Sequence, residues 1–256
     1  MSSRIYVYGI IDSAEEFKLR RGERLIYSIA YRDIAAVVRN CNSLEDFGGA
    51  VKDYALFHEN VAETLMNDFT VLPMRMFTVF NSVEQISVML SRYYRAFKEN
   101  FTRLAQKVEF GLKVLWPVEN IKARIGLIRE QNETHSGISP AKNFMLKKLE
   151  TYKHEKAFMT EAENLILKID AFFSGLAVEK KLRKLQTEKL LLNASYLVPK
   201  GSRITNAFNE LKNTITELEY QFSGPWPPYN FIVLPPAGTG IDSSDILDQV
   251  LNINGR

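Results

Sequence analysis

The hydrophobic residues of the N-terminal part change their spacing several times, and each change predicts a new element. Arg4–Ile11 carries apolar or aromatic side chains on both faces, which predicts an interior strand. The β-branched or aromatic runs Leu25–Tyr31 and Ile34–Arg39 follow, and the two residues between them suit a hairpin. Apolar residues then recur at helical spacing from about Gly49 to Asn67, which predicts one amphipathic helix.

The pattern continues as strand, helix and strand. Val71–Phe80 is predicted to be a strand with a proline near its start, where a missing N–H donor is tolerated. A helix begins at Val83, after Asn81 or Ser82 as its cap, and the alternation in Val108–Trp116 predicts a strand. Residues 1–117 are therefore expected to form one α+β domain, with a mixed sheet and two helices on a face.

Residues 118–235 are expected to form a second α+β domain with long helices. Residues 236–256 are expected to form a flexible or docking tail. Helical spacing runs through 118–130, and apolar pairs recur about every seven residues from 140 to 173. The longer helix can lie across its own sheet, or it can form a helical hairpin or short coiled coil. Four further elements are predicted: a charged helix over 178–189, a strand over 190–198, a helix capped by Ser202, and a strand over 218–222.

The segment Gly224–Phe231 combines three prolines with Trp226, Tyr229 and Phe231. Proline fixes φ near −65° and removes backbone donors, so this stretch is stiff and non-helical. One interpretation is a rigid turn that leads into a last core strand, Phe231–Leu234. The other is a docking surface, because Trp and Tyr are favoured anchors of such surfaces.

Two polar residues within apolar stretches also have alternative interpretations. His58 lies on the apolar stripe of the first predicted helix, and no metal-binding or nucleophile motif surrounds it, so a core histidine bonded to backbone is favoured over a catalytic one. Arg75 is the one charge in its predicted strand. It either extends from the sheet edge to water or contacts an anion or partner.

Composition narrows the function classes. The chain has 256 residues and a formal net charge of only +3, which does not indicate a nucleic-acid-binding protein. Its single cysteine excludes an internal disulfide. Its three histidines show no zinc spacing, and there is no glycine-rich phosphate loop. No signal peptide or membrane-length apolar run is present. We therefore expect a cytoplasmic, non-enzymatic protein without cofactor or metal that binds neither nucleic acid nor membrane.

Six separated stretches together resemble the GvpL/GvpF family of gas vesicle proteins, and their order and spacing follow that family along nearly the whole chain. One difference concerns Met76-Phe77, which stands where the family usually has Phe-Gly. If that glycine serves a special backbone angle in the family, this chain makes the turn differently, and the difference argues against a functional use of the position. The stretches are Tyr6–Ile10, His58 with Val61, Leu72–Arg75 with Thr78–Phe80, Glu109–Val114, Asn193–Val198 and Gly224–Phe231.

The resemblance implies an accessory or minor structural component needed to build gas vesicles. It implies a ferredoxin-like N-terminal α+β domain, a C-terminal α+β domain with long helices, and localisation to the gas vesicle after a soluble cytoplasmic stage. The expected partners are the main shell protein GvpA and other accessory proteins. On this basis Trp226, Tyr229, Phe231 and Arg75 are the candidate partner-binding residues.

The alternative is a non-enzymatic nucleic-acid-binding or ligand-sensing α+β module. Ferredoxin-like sheets can present aromatic side chains on which bases stack. Tyr6, Tyr8 and Phe110, together with the basic run 180–189, would then be the binding residues.

Overall fold

The computed structural model describes residues 4–41, 51–124, 139–185 and 187–235. By its contacts the chain forms two compact units, one that extends to Glu109 and resumes at Pro225, and one of residues 110–224. The boundaries expected from the sequence, at residues 117 and 235, differ from this division. The proline-aromatic segment groups with the N-terminal unit, whereas the pattern assigned it to the C-terminal domain.

A six-stranded sheet forms the centre of the N-terminal unit. Its neighbouring strands pair antiparallel in the order β2-β3-β4-β1-β5, and β6 also pairs with β1. The α+β class is confirmed. The expected mixed sheet is wrong, because all of these strand pairs run antiparallel and none runs parallel among the described residues. The strands are β1 Arg4–Ile11, β2 Lys18–Arg21, β3 Arg24–Tyr31, β4 Ile34–Cys41, β5 Val71–Pro73 and β6 Val79–Phe80.

Two helices accompany this sheet, α1 Val51–Leu65 and α2 Val83–Leu104. The cap predicted for α2 is confirmed, since the Ser82 side chain accepts a hydrogen bond from the Gln85 N–H. Strand β1 is buried along nearly its whole length, as its two apolar faces predict. Val61 and Leu65 of α1 share the apolar core with Tyr6 and Tyr8 of β1.

Two predicted strands of this unit are wrong. The first, Val71–Phe80, is interrupted after Pro73 and resumes only at Val79, so Met74–Thr78 is a loop between β5 and β6. The second, Phe231–Leu234, is turn and irregular backbone. Side chains of α2 supply hydrogen-bond partners to Phe231 and Val233, so burial of this segment does not require a neighbouring strand.

The second sheet has four strands in the order β10-β7-β9-β8. The strands predicted over 108–116 and 190–198 and the helix over 140–173 are confirmed. Residues 118–130 are described only as far as Arg124. The elements are β7 Lys107–Leu115, α3 Val118–Arg124, α4 Pro140–Ala171, β8 Glu179–Lys184, β9 Leu190–Pro199, α5 Ile204–Thr214 and β10 Glu219–Trp226.

The C-terminal unit corrects two further predictions. The charged run 178–189 contains the strand β8, not a helix, and β8 pairs antiparallel with β9 at the edge of the sheet. Lysine-rich composition is typical of edge strands, because charge discourages pairing with other chains. Helix α5 is capped by Arg203 without a side-chain bond, so Ser202 is not its cap.

Helix α4 has two different halves. Its C-terminal half packs on its own unit through the buried residues Ala162, Leu165, Ile166 and Ile169, as expected for a helix that lies across its sheet. The ring of Phe158 lies 4.7 Å from that of Trp116. The N-terminal half, from Ala141 to Ala157, is largely exposed along the described chain.

Candidate functional site

A buried hydrogen-bond network in the N-terminal unit connects β1, α1 and the loop Met74–Thr78. His58 Nε2 lies 3.1 Å from the carbonyl oxygen of Met74, and His58 Nδ1 lies 2.7 Å from the Tyr6 hydroxyl. A carbonyl oxygen only accepts, so Nε2 carries the proton and Nδ1 accepts from Tyr6. His58 is thus the core histidine bonded to backbone that the sequence favours.

Burial sets the protonation of this network. It lowers the pKa of His58 to about 4, against which the bond to Met74 acts only partly. Burial also raises the pKa of Tyr6 well above its usual range. Arg39 is buried with its guanidinium 5.3 Å from the centre of the Tyr6 ring. Both members of the His58–Tyr6 pair are therefore neutral near pH 7.

The loop Met74–Thr78 is held at both ends. The Met74 N–H donates to the carbonyl of Tyr8 at 2.9 Å, and the Val7 N–H donates to the carbonyl of Thr78 at 2.9 Å. Inside the loop, the Thr78 hydroxyl donates to the carbonyl of Arg75 at 2.6 Å. The N–H of the intervening Phe77 donates to the Tyr6 hydroxyl at 3.3 Å. The backbone of the loop is therefore fixed while the Arg75 and Phe77 side chains are exposed.

The turn at Met76-Phe77, where the sequence differs from the family pattern, has an unusual backbone conformation. Phe77 has a φ of 68°, which lies in the left-handed region that glycine adopts without steric cost. The backbone therefore has the angle that a glycine would favour, and a phenylalanine occupies it.

The closing segment is held to the same unit by hydrogen bonds of polar side chains. The Glu109 carboxylate, which is buried, accepts from the Asn230 N–H at 2.8 Å and also from the Asn230 side-chain amide. The Arg103 guanidinium donates to the carbonyl of Phe231. The Phe231 ring is 1% exposed, so it is a core residue that can support a surface but not contact a partner.

Tyr229 and Trp226 are half-buried and remain accessible to a partner. The Tyr229 hydroxyl is buried and has no hydrogen-bond partner among the described residues. Burial raises the pKa of Tyr229 strongly, and the neighbouring Glu59 and Tyr6 raise it further.

The four candidate residues all lie in the N-terminal unit: Arg75 is exposed, Trp226 and Tyr229 are half-buried, and Phe231 is buried. Sequence reasoning missed Glu109 and Asn100, and it named Phe77 only as a difference from the family pattern. The replacement of a family glycine by a large aromatic residue was the available signal for Phe77. Nothing in the pattern could pair Glu109 with Asn230 across 121 positions.

A second candidate surface lies on the N-terminal half of α4. Four large apolar side chains project there, in a helix half that also carries several lysines. Apolar groups at helical spacing beside charged ones are typical of a helix that binds another helix. They are Phe144, Met145, Leu149 and Tyr152.

The residues named for base stacking are not accessible. Tyr6, Tyr8 and Phe110 are at most 8% exposed, so their ring faces cannot receive a base. The basic residues 180–184 belong to the edge strand β8. The proposed stacking residues of the nucleic-acid alternative are therefore wrong.

The described ranges also bear on metal binding and on membrane insertion. There, no three histidine, cysteine or carboxylate side chains come together in a way that could hold a metal ion. The helices of the same ranges include none with the length and apolar composition of a membrane span.

Comparison with known proteins gives consistent matches over most of the chain. The family model described as gas vesicle synthesis protein GvpL/GvpF matches residues 4–233. Gas vesicle protein F2 of Halobacterium salinarum is 26% identical over 90% of this chain and 92% of its own length. Gas vesicle protein L1 of the same organism is 27% identical over 90% and 91%.

The fold is also found among solved structures. The crystal structure of the gas vesicle protein GvpF from Anabaena sp. PCC7120 matches with a TM-score of 0.72 and 21% identity, covering 91% of this chain and all of that one. GvpF from Microcystis aeruginosa matches with a TM-score of 0.73 and 18% identity over the same shares.

Proposed function

Because the chain belongs to the GvpL/GvpF family of gas vesicle synthesis proteins, we propose that it binds the main gas vesicle shell protein GvpA, together with other accessory proteins, while the vesicle is assembled. The family match over residues 4–233 supports a role in gas vesicles. In this proposal the protein acts in the cytoplasm and joins the vesicle as an accessory or minor structural component.

The physical need for such a partner follows from the vesicle itself. A shell that encloses gas must expose apolar surface toward that gas, and before assembly the same surface favours aggregation. A soluble protein with accessible aromatic side chains on a rigid support can cover it and release it in order. Rigidity matters because a surface that is already ordered loses less entropy on binding.

The observation that carries the proposal is the fixed aromatic surface of the N-terminal unit. Trp226 and Tyr229 are partly accessible, and the Glu109–Asn230 bonds hold the segment that follows them. Arg75 and Phe77 are exposed on a loop that is bonded to β1 at both ends. Such anchors, rigid and partly exposed, are the residues that carry most of the binding energy in protein interfaces.

The test is capture of co-expressed GvpA by the affinity-tagged full chain, wild type beside Trp226→Ala, with circular dichroism on both. Val88→Ala is the control, because Val88 is 63% exposed on α2 of the same unit. We expect Trp226→Ala to reduce capture while folding and the control remain unchanged. If wild type captures no GvpA, the proposed partner is wrong.

The exposed half of α4 is the second surface to test in the same experiment. Phe144→Ala combined with Tyr152→Ala removes two exposed apolar side chains of that helix without touching its buried half. Loss of capture with this variant, and none with Trp226→Ala, would place binding on α4 and contradict the role of the proline-aromatic segment.

A further inference from the structure

We propose that Phe77 is a partner-contacting residue of this chain, presented by a strained loop to an apolar pocket on the shell protein. This inference rests on the proposed function, since the shell protein is the occupant, and it adds the contacting residue and the chemistry of its pocket.

The first step is the strain at Phe77. With a φ of 68°, the residue is in the left-handed region, where a Cβ atom approaches the following carbonyl oxygen too closely. A bulky residue in this region is an outlier, and such outliers cluster at functional sites.

The second step is that the loop cannot relax. The Phe77 N–H is bonded to the Tyr6 hydroxyl, which is bonded in turn to His58. His58 bonds the carbonyl of Met74 at the start of the loop, and the Thr78 hydroxyl bonds the carbonyl of Arg75. Buried residues of β1 and α1 therefore hold Phe77 in its strained conformation.

The third step is what the loop presents. The Phe77 side chain is 42% exposed, so packing inside the unit does not account for the whole ring. An exposed aromatic ring on a rigid loop fits an apolar pocket of a partner, because burial of the ring removes apolar surface from water and the ordered loop loses little entropy on binding.

Four variants of the full chain test the proposal in the capture experiment with co-expressed shell protein. Phe77→Gly removes both ring and strain, Phe77→Ala removes the ring and leaves the strain, and Phe77→Trp keeps a large aromatic ring. Val88→Ala is again the matched control for loss of an exposed apolar group.

We expect Phe77→Gly and Phe77→Ala to lower the captured shell protein at least tenfold, and Phe77→Trp and Val88→Ala to stay within twofold of wild type. Phe77→Gly keeps the test valid, since glycine adopts the observed backbone without strain, and circular dichroism checks that the variant is folded. Unchanged capture by Phe77→Gly would overturn this inference and leave the proposed function intact. Absence of capture by wild type would overturn both.

Discussion

Asn100 of α2 pairs with the backbone of Val233 in both directions. Its side-chain amide donates to the carbonyl of Val233 at 2.6 Å, and its Oδ1 accepts from the Val233 N–H at 2.9 Å. The buried side chain of Asn100 thereby supplies the two backbone hydrogen bonds that a neighbouring strand would otherwise give to Val233.

Asn100→Ala leaves both backbone groups of Val233 without these bonds. We expect the free energy of unfolding to fall by about 1–3 kcal/mol, because Val233 is itself exposed and each of the two lost hydrogen bonds contributes about 0.5–1.5 kcal/mol. Urea denaturation measures the change. Thr102→Ala is the control on the exposed face of the same helix, with an expected effect within about 0.5 kcal/mol. Equal stabilities of the two variants would show that the Asn100–Val233 pair does not fasten the segment.

His58 should make stability depend on pH. Its pKa is about 4 in the folded protein, below the value near 6.5 of an unfolded chain. Above pH 6.5 both states are neutral, and between 6.5 and 4 only the unfolded state gains the proton. Stability therefore falls as pH falls through this window, by at most roughly 3 kcal/mol, and the contribution is constant below pH 4.

Urea denaturation from pH 7 to pH 4 measures this dependence. His58→Gln keeps an acceptor and a donor but cannot take up a proton, so its stability should vary less across the window. If the two proteins lose the same stability between pH 6.5 and pH 4, the titration of His58 is not the cause.

The sequence predicted the elements with long, uniform spacing and missed those defined by distant partners. β1 and α4 were found because their patterns are continuous over many residues. The edge strand β8 was predicted as a helix, since Leu182 and Leu185 are three apart and its strand identity depends on β9. The spacing of apolar residues reflects only the local backbone geometry, whereas strand pairing depends on residues that are distant along the chain.

The candidate site shows the same limit. Trp226 and Tyr229 were chosen by residue type and are partly accessible, whereas Phe231 was chosen by the same reasoning and is buried. Residue type does not determine which aromatic side chain of a stiff segment turns inward. That depends on the bonds from Glu109, Asn100 and Arg103, which lie more than a hundred residues away along the chain.

Phe77→Gly and Phe77→Ala separate backbone strain from ring packing. Both variants lose the same ring, and only alanine keeps the Cβ atom that is strained at a φ of 68°. We expect the glycine variant to be more stable than the alanine variant by about 1 kcal/mol, since the left-handed conformation costs a residue with a Cβ atom about 1–2 kcal/mol. Thermal unfolding under identical conditions measures the difference. An alanine variant as stable as the glycine variant would show that the loop relaxes and stores no strain.

Gly9 should not tolerate a side chain. It lies at the irregularity in the β1–β4 pairing and also pairs with Pro73 of β5. A Cβ atom there would lie 3.0 Å from the carbonyl oxygen of Leu72 and 3.2 Å from Cγ1 of Val71. We expect Gly9→Ala to lower the free energy of unfolding by about 1–3 kcal/mol, as overpacking of a core does.

Gly175→Ala is the matched control for Gly9→Ala, because nothing lies within 4 Å of a Cβ atom at Gly175. Alanine there restricts the unfolded chain without a clash, so stability should be unchanged or rise by about 0.4–1 kcal/mol. Urea denaturation of both variants measures the contrast. A Gly9→Ala protein as stable as wild type would mean that β5 can move away from β1, and the loop that follows β5 would then be less firmly held than the hydrogen bonds of Met74 indicate.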